Sequence, residues 1–291
     1  MTRCLVTGHQ GYIGTHLFKE LENQGHEVIG IDYKNDPNQD LLSVFDNDKA
    51  YEWFKPEVIF HMACIPRVAY SMEYPVETMT NNVLATTKVL NFARKVKAKR
   101  VVYSGSSSVV GDGTSPNSPY GLQKLISEME CRLYAKVFDI DTVTLRYFNV
   151  YSPDQSATGP YATAISNYMQ YIRDGRNPFI TGDGEQRRDM VNVKDVVSAN
   201  IFAMESETDF HGQYFDIGTG KNISLNEIKK IVLEHFPDIE FEYVPDRPGD
   251  ILFTQADIEP INNLGWYAEI DIRQGIAECF ENLKKELHLN N

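Results

Sequence analysis

The chain has little cysteine, a deficit of positive charge and no long apolar run. Cys4, Cys64, Cys131 and Cys279 are its only cysteines in 291 residues. They are too scattered for a paired metal-ligand spacing or a secreted disulfide framework, so free thiols and no metal site are expected. Lys and Arg number 28 against 41 Asp and Glu, a formal net charge of −13. That balance argues against nucleic acid or an anionic membrane as a partner, and an anionic ligand would need a local cluster of cations. No stretch approaches the ~20 consecutive apolar residues of a membrane span. With no signal-peptide or lipidation pattern either, a soluble cytoplasmic protein is expected. Repeats and low-complexity segments are also missing, and the length suffices for one large or two modest domains.

What is present alternates. Strand-like apolar runs at 4–7, 28–32, 58–61, 100–104 and 142–147 are separated by helical patterns at 11–24, 82–97 and 119–138. This predicts an α/β fold, a Rossmann-type doubly wound parallel sheet. After Asn149 the chain is punctuated by proline and glycine. A helix near 162–173, a short strand at 178–181 and the segment 191–204 precede a strand at 214–217 that rejoins the sheet. A helix at 225–235, a strand at 239–244 and an amphipathic helix at 272–287 close the chain. The expected domains are 1–150 plus about 190–220, and a smaller, discontinuous C-terminal domain of about 150–190 plus 220–291.

Leu5-Val6-Thr7-Gly8-His9-Gln10-Gly11-Tyr12-Ile13-Gly14 is an apolar strand running into glycines three apart and then a helix. Gly8 suits a tight turn, Gly11 allows backbone to approach a pyrophosphate, and Gly14 permits close helix-strand packing. Gln10, Tyr12 and Ile13 belong to the same phosphate-binding loop, at a helix N-terminus that attracts negative charge. The next strand ends at Asp32, the acid expected ~20 residues on to accept hydrogen bonds from an adenosine ribose. An acid there repels a 2′-phosphate, which favours NAD over NADP, with nearby Lys34 as the one opposing charge.

Tyr120 and Lys124 lie four apart at the start of a helix, on one face. An ammonium beside a phenol favours the phenolate, and a pKa lowered by ~3 units from about 10 would give a base usable near neutrality. Ser106, at the end of the fourth strand with Ser107 and Ser108, can donate to a sugar oxygen and relay a proton. Met62 and Ala63 follow the third strand, and Tyr147 ends the fifth. Ligands bind at such carboxyl ends.

These residues resemble an extended short-chain dehydrogenase/reductase of the nucleotide-sugar epimerase and dehydratase group. The match adds Asp40-Leu41, His61-Met62-Ala63, Asn82, Tyr147-Phe148-Asn149, Gly182 to Asp189, and Arg247-Pro248-Gly249-Asp250. The resemblance implies a cofactor site of Gly8, Gln10, Gly11, Tyr12, Ile13, Gly14, Asp32, Asp40, Leu41, Met62, Ala63, Asn82, Tyr120, Lys124 and Tyr147. It implies Ser106, Tyr120 and Lys124 as catalytic residues. Ser106, Ser107, Ser108, Asn149, Arg188, Arg247, Asp250 and Thr254 would bind substrate, with Arg188 and Arg247 gripping a nucleotide diphosphate.

In such relatives the first step oxidises the sugar 4-hydroxyl to a ketone. Dehydratases then need an acid beside the catalytic serine, and related decarboxylases tend to keep a glutamate there; this chain has Ser107 and Ser108. An NDP-sugar 4-epimerase with retained NAD is therefore expected, on a UDP-sugar. The alternatives are a uronate epimerase or decarboxylase, a 4-keto reductase, a dehydratase, or a noncatalytic NAD-binding sensor. Thr254, small where a bulky residue would restrict entry, implies room for a 2-acetamido group. Val110 stands where a tyrosine is common. The resemblance also implies a homodimer through helices 82–97 and 119–138. Leu90, Leu122, Leu125, Met129 and Leu133 could form that seam, or be buried within the chain.

Overall fold

A computed structural model of the chain describes residues 1–34, 36–46, 51–66, 68–111, 113, 115–157, 163–246 and 252–288. It divides into two compact units, Met1–Tyr147 with Val196–Asp216, and Phe148–Asp195 with Ile217–Asn291. The chain begins with β1 (Arg3–Thr7), α1 (Tyr12–Asn23), β2 (Glu27–Ile31), β3 (Val58–His61), α2 (Val68–Glu73) and α3 (Pro75–Met79). It continues with α4 (Ala85–Val96), β4 (Arg100–Ser106), α5 (Pro119–Phe138) and β5 (Asp141–Tyr147). Then come β6 (Asn149–Tyr151), α6 (Ala164–Arg173), β7 (Phe179–Thr181), β8 (Arg187–Arg188), β9 (Met190–Asn192), α7 (Val193–Glu205) and β10 (Gln213–Ile217). The chain closes with β11 (Ile223–Ser224), α8 (Leu225–His235), β12 (Glu242–Val244), α9 (Glu259–Asn262) and α10 (Ile272–Glu286).

The six-stranded sheet has the order β2-β1-β3-β4-β5-β10, and the pairings among its first five strands are parallel. Every residue of β3 is buried, as expected of a parallel strand covered on both faces. The chain leaves β1 for β2 on one side and returns through β3 on the other. The order therefore reverses between β1 and β3, where a crevice forms beyond the strand ends. One face of the sheet buries Leu5, Ile59 and Val101 against Val89, Leu90 and Ala93 of α4 and Cys131 of α5. Leu90 thus belongs to the internal core and leaves the proposed seam, because the stripe of α4 that carries it faces the strands. Leu122, Met129 and Leu133 stay outside, exposed by 45, 61 and 53%, and Val137 continues their stripe at 57%.

In the second unit Tyr168, Met169, Ile228, Ile231, Val232, Ile276 and Phe280 form a separate core between α6, α8 and α10. Its helices start where side chains cap them. Ser224 and Glu227 make a reciprocal capping box on α8, and Asp271 accepts from the Arg273 and Gln274 amides at the head of α10. Three two-stranded ladders, β6 with β9, β7 with β12 and β8 with β11, complete it.

Two expected elements differ. The helix expected over 82–97 is an α-helix only from Ala85, preceded by a π-helical turn at Thr80–Leu84. The strand expected over 239–244 shrinks to β12, because Ile239 and Phe241 pack against the helical core instead of continuing the ladder.

Among the described residues no helix is long and apolar enough to cross a membrane. The four cysteines are all free thiols.

Candidate active site

The glycine loop is built by contact. Gly8 has φ +71°, and a Cβ there would lie 2.7 Å from the Ala63 amide nitrogen. Only glycine fits both the left-handed conformation and the approach of the loop after β3. A Cβ on Gly14 would overlap the Gly8 carbonyl oxygen, so this glycine sets how closely α1 meets its own strand. Gly11 occupies the N-cap with no side chain capping it. A helix start of this kind could hold an anion.

Asp32 follows β2, its carboxylate accepting the Gln10 amide at 3.0 Å and the Lys34 amide at 3.0 Å. Each oxygen keeps a lone pair for a ribose hydroxyl. Lys34 contributes its backbone here and leaves its side chain exposed. Asp40 turns back on the Leu42 amide at 2.9 Å, while Leu41 is buried in the sheet core. An uncapped helix start, a strained glycine beside a second strand end and an oriented carboxylate together suit a dinucleotide.

Helix α5 starts sharply because Ser118 caps the Gly121 amide at 3.1 Å and Pro119 follows. The next amide, of Tyr120, donates to Ser71 on α2 at 3.0 Å. Further along, Glu128 takes a bidentate bond from Arg146 of β5, 2.8 Å at both oxygens, which fixes the helix against the sheet. Tyr120 and Lys124 do share a face: the Lys124 ammonium is 6.0 Å from the Tyr120 ring centroid and 4.9 Å from that of Tyr103. It donates to the Ser104 carbonyl at 2.7 Å.

One expectation needs correction. Burial pushes the Tyr120 phenol up; the Lys124 ammonium and the Ser106 hydroxyl pull it down but do not overcome burial. The phenol of the free protein is therefore protonated at neutral pH, because a phenolate in this pocket loses its water. Ser106 bonds Ser108 Oγ at 2.8 Å and accepts the Ser108 amide at 3.2 Å. The hydroxyls of the β4 end thus form a linked pair. Val110 is exposed by 40%.

Around this pair, the Tyr147 hydroxyl meets Asn200 at 3.0 Å and the Met62 sulfur at 3.7 Å. Asn82 is 2% exposed, and its amide is spent on Ile65 and Gln123. It therefore shapes the loop after β3.

In the second unit Asn149 donates to the Asp189 carbonyl at 2.7 Å. The two adjacent arginines part company. Arg187 is committed to Asn222 Oδ1 at 2.5 Å and Glu227 at 2.7 Å, whereas Arg188 donates to the Arg187 carbonyl at 3.0 Å. Asp189 is fully buried and accepts from Thr219 (N and Oγ1), Gly220 and Ala256. Burial pushes its carboxyl up, and those donors pull it partly back. Thr254 lies beside Asp189, accepting its amide on the carbonyl at 3.0 Å and on Oγ1 at 3.3 Å. Arg247 and Asp250 lie outside the described residues.

Three participants escaped the reading from sequence. Ser71 meets Tyr120 across 49 residues, and no local pattern marks it. Gln123 sits between Tyr120 and Lys124, yet a polar residue on a helix reads as a solvated one. His61 stood inside a motif without a role.

Comparison with known proteins bears on all of this. Residues 4–218 match the NAD dependent epimerase/dehydratase family. A putative UDP-glucose 4-epimerase of Methanocaldococcus jannaschii is 32% identical, with 96% of this chain and 98% of that protein covered. The UDP-glucose 4-epimerase of Thermotoga maritima, solved with UDP-glucose, superposes with a TM-score of 0.90 at 29% identity, covering 98% of this chain and 99% of that one. The UDP-N-acetylglucosamine 4-epimerase of Methanobrevibacter ruminantium, solved with UDP-N-acetylmuramic acid, gives 0.87 at 29% identity, with the same coverage. A glycine loop shaped for a dinucleotide, a tyrosine and lysine on one helix face, and a match over nearly three quarters of the sequence lead to one conclusion: this chain belongs to the NAD dependent epimerase/dehydratase family.

Proposed function

We propose that the protein is a nucleotide-sugar 4-epimerase that keeps its NAD through the cycle, acting on UDP-glucose and UDP-galactose, on their 2-acetamido counterparts, or on both. The observation that carries this reading is the end of β4. Ser106 is bonded to Ser108, and its neighbours are hydroxyls where an eliminating enzyme needs a carboxyl group. A serine hydroxyl neither gives nor takes a proton readily at neutral pH, so elimination lacks its acid and base.

The chemistry NAD supplies is reversible hydride acceptance, together with a positive charge on its nicotinamide ring that offsets the burial of a phenolate. Tyr120 takes the proton of the sugar 4-hydroxyl as the C4 hydrogen departs with its electron pair, leaving a 4-keto sugar. Ser106 donates to the same sugar oxygen, and Lys124 holds the phenolate form. The glycine loop and Asp32 would hold NAD, which would supply the return of that hydrogen to the opposite face of C4, while Tyr120 returns its proton to the oxygen. C4 is thereby inverted.

We assign the first unit to NAD and the second to the nucleotide diphosphate, with Arg188 and Arg247 as bidentate phosphate donors and Asn149 and Asp250 beside them. Arg187 is left out of that assignment by its bonds to Asn222 and Glu227. The 2-acetamido option rests on the small Thr254. Four unpaired cysteines support a reducing, cytoplasmic setting. The exposed stripe Leu122, Met129, Leu133 and Val137 supports a homodimer with α5 at its interface. Light scattering should give twice the chain mass, and Met129→Asp should shift it to the monomer; a monomeric wild type refutes the dimer.

Proton NMR of the purified protein with each of the four UDP-sugars, no cofactor added, tests the reaction. The anomeric signal of the 4-epimer should grow in, and the relative rates bear on Thr254. No conversion of any of them, even with NAD supplied, would sink the proposal.

A further inference from the structure

We infer that Asn82 and Gln123 form a positioning hub that sets the catalytic helix α5 against the loop after β3, acting on the reaction through Tyr120 and Lys124. The inference rests on the reading of those two residues as the reacting pair.

Asn82 lies at the middle of the π-helical turn, where the Ala85 amide reaches back to the Thr80 carbonyl. Such widened turns are rare and are frequent at functional sites. The Asn82 side chain accepts the Ile65 amide at 2.7 Å and donates to the Ile65 carbonyl at 3.2 Å and to Gln123 Oε1 at 2.8 Å. Both of its donor hydrogens are used. Gln123, fully buried, passes the connection on by donating to Thr78 Oγ1 at 2.9 Å. An apolar side chain would fill the same volume with no partners to satisfy.

The Asn82 carbonyl collects two hydroxyls, Thr86 Oγ1 at 2.6 Å and Ser127 Oγ at 3.3 Å. Thr86 spends its one proton there, so it must accept from His61 Nε2 at 3.0 Å. His61 Nδ1 then accepts from Thr7 Oγ1 at 2.8 Å, and Thr7 in turn accepts the Ala63 amide at 3.3 Å. The ends of β1 and β3, the loop at Ile65 and helix α5 are thereby tied to one residue. Burial, and secondly the Lys124 ammonium, hold the His61 imidazole down to about 3, so the ring is neutral, as this chain of bonds requires.

Gln123 has no hydrogen bond to Ile65; the two are joined through the Asn82 amide. That gives a discriminating test on the purified holoprotein. Gln123→Met takes one of the two acceptors of Asn82 Nδ2 and leaves it the Ile65 carbonyl alone. Hydrogen exchange at the Ile65 amide should then accelerate about tenfold, as a local opening becomes easier. The kcat should fall about tenfold with KM within about twofold, because the reacting groups are displaced while sugar binding is spared. Gln123→Glu keeps an acceptor toward Asn82 and should restore most of the Ile65 protection and of kcat. An Ile65 amide unmoved by Gln123→Met, or a Gln123→Glu variant no better than Gln123→Met, overturns the hub. Should Gln123→Met fail to fold, Asn82→Asp serves: it keeps the acceptor for the Ile65 amide and loses both donors. Exchange should rise at the start of α5 while Ile65 stays protected, and the reverse pattern refutes the proposal. If the wild type turns over no nucleotide sugar, the epimerase reading fails, while the exchange measurements still decide the hub.

Discussion

Tyr120→Phe is expected to lower kcat by about 10²- to 10⁴-fold, the span contributed by a positioned proton-transfer group, or roughly 3–5.5 kcal/mol in the barrier. The ring stays in place: the backbone hydrogen bond that anchors residue 120 to another helix, its amide to Ser71 Oγ, does not involve the hydroxyl. Phenylalanine fills the same buried space, so retained NAD and thermal stability should change little. The measurement is single-turnover conversion of whichever UDP-sugar the wild type accepts, with bound NAD quantified in the same samples. A variant within threefold of wild type would move the base elsewhere.

The pH dependence has a definite sign. A base acts only after losing its proton, and burial pushes this phenol up, so the rate should rise with pH through the neutral range. Lys124→Met removes the cation that pulls the phenol back. The rising limb should then move to higher pH. A limb that stays put would mean that Lys124 serves only its bond to the Ser104 carbonyl.

The second large effect is on stability. Arg100→Met is expected to cost about 3–5 kcal/mol, the range for breaking one side of a buried ion pair. The Arg100 side chain is 1% exposed and that of Asp141 8%, 2.5 Å apart. Besides that carboxylate, the guanidinium donates to the carbonyls of Ala203 at 2.6 Å, Ser206 at 2.8 Å and Thr208 at 2.9 Å. Methionine replaces the volume and none of the donors. Asp141 would keep only the Phe210 and His211 amides, a buried charge without its counterion. For a chain of this size the loss corresponds to about 5–8 °C in Tm. Calorimetry of wild type and variant checks it, and a fall under 2 °C would show that water replaces the guanidinium at little cost. Because Arg100 lies at the start of β4 and Ser106 at its end, NAD retention of the folded variant should be normal.

The particular residues show where sequence sufficed. The loop from Gly8 to Gly14, the acid at Asp32 and the spacing of Tyr120 to Lys124 are local patterns. A positive φ, a helix start and two side chains on one face are consequences of a few neighbouring residues, and the structure places them as the spacing implied. The strand-helix alternation likewise fixed the kind of sheet, since apolar runs bounded by turns can be buried on both faces in few ways.

Other properties depended on which distant groups the fold brings together. The helical pattern over 82–97 gives no hint that its first turn is widened, because Asn82 is drawn to Ile65 and Gln123 by contacts 17 and 41 residues apart. The motif singled out Arg188 of two adjacent arginines, but only the fold shows that Asn222 and Glu227 engage Arg187. Leu90 and Leu122 read alike as apolar helix residues, until the sheet covers one and leaves the other outside. The protonation of Tyr120 is the sharpest case. The sequence determined that a lysine stands one turn from the phenol. Tertiary structure decided that the phenol is dry, and removing water from a phenolate raises its energy by more than one nearby ammonium lowers it.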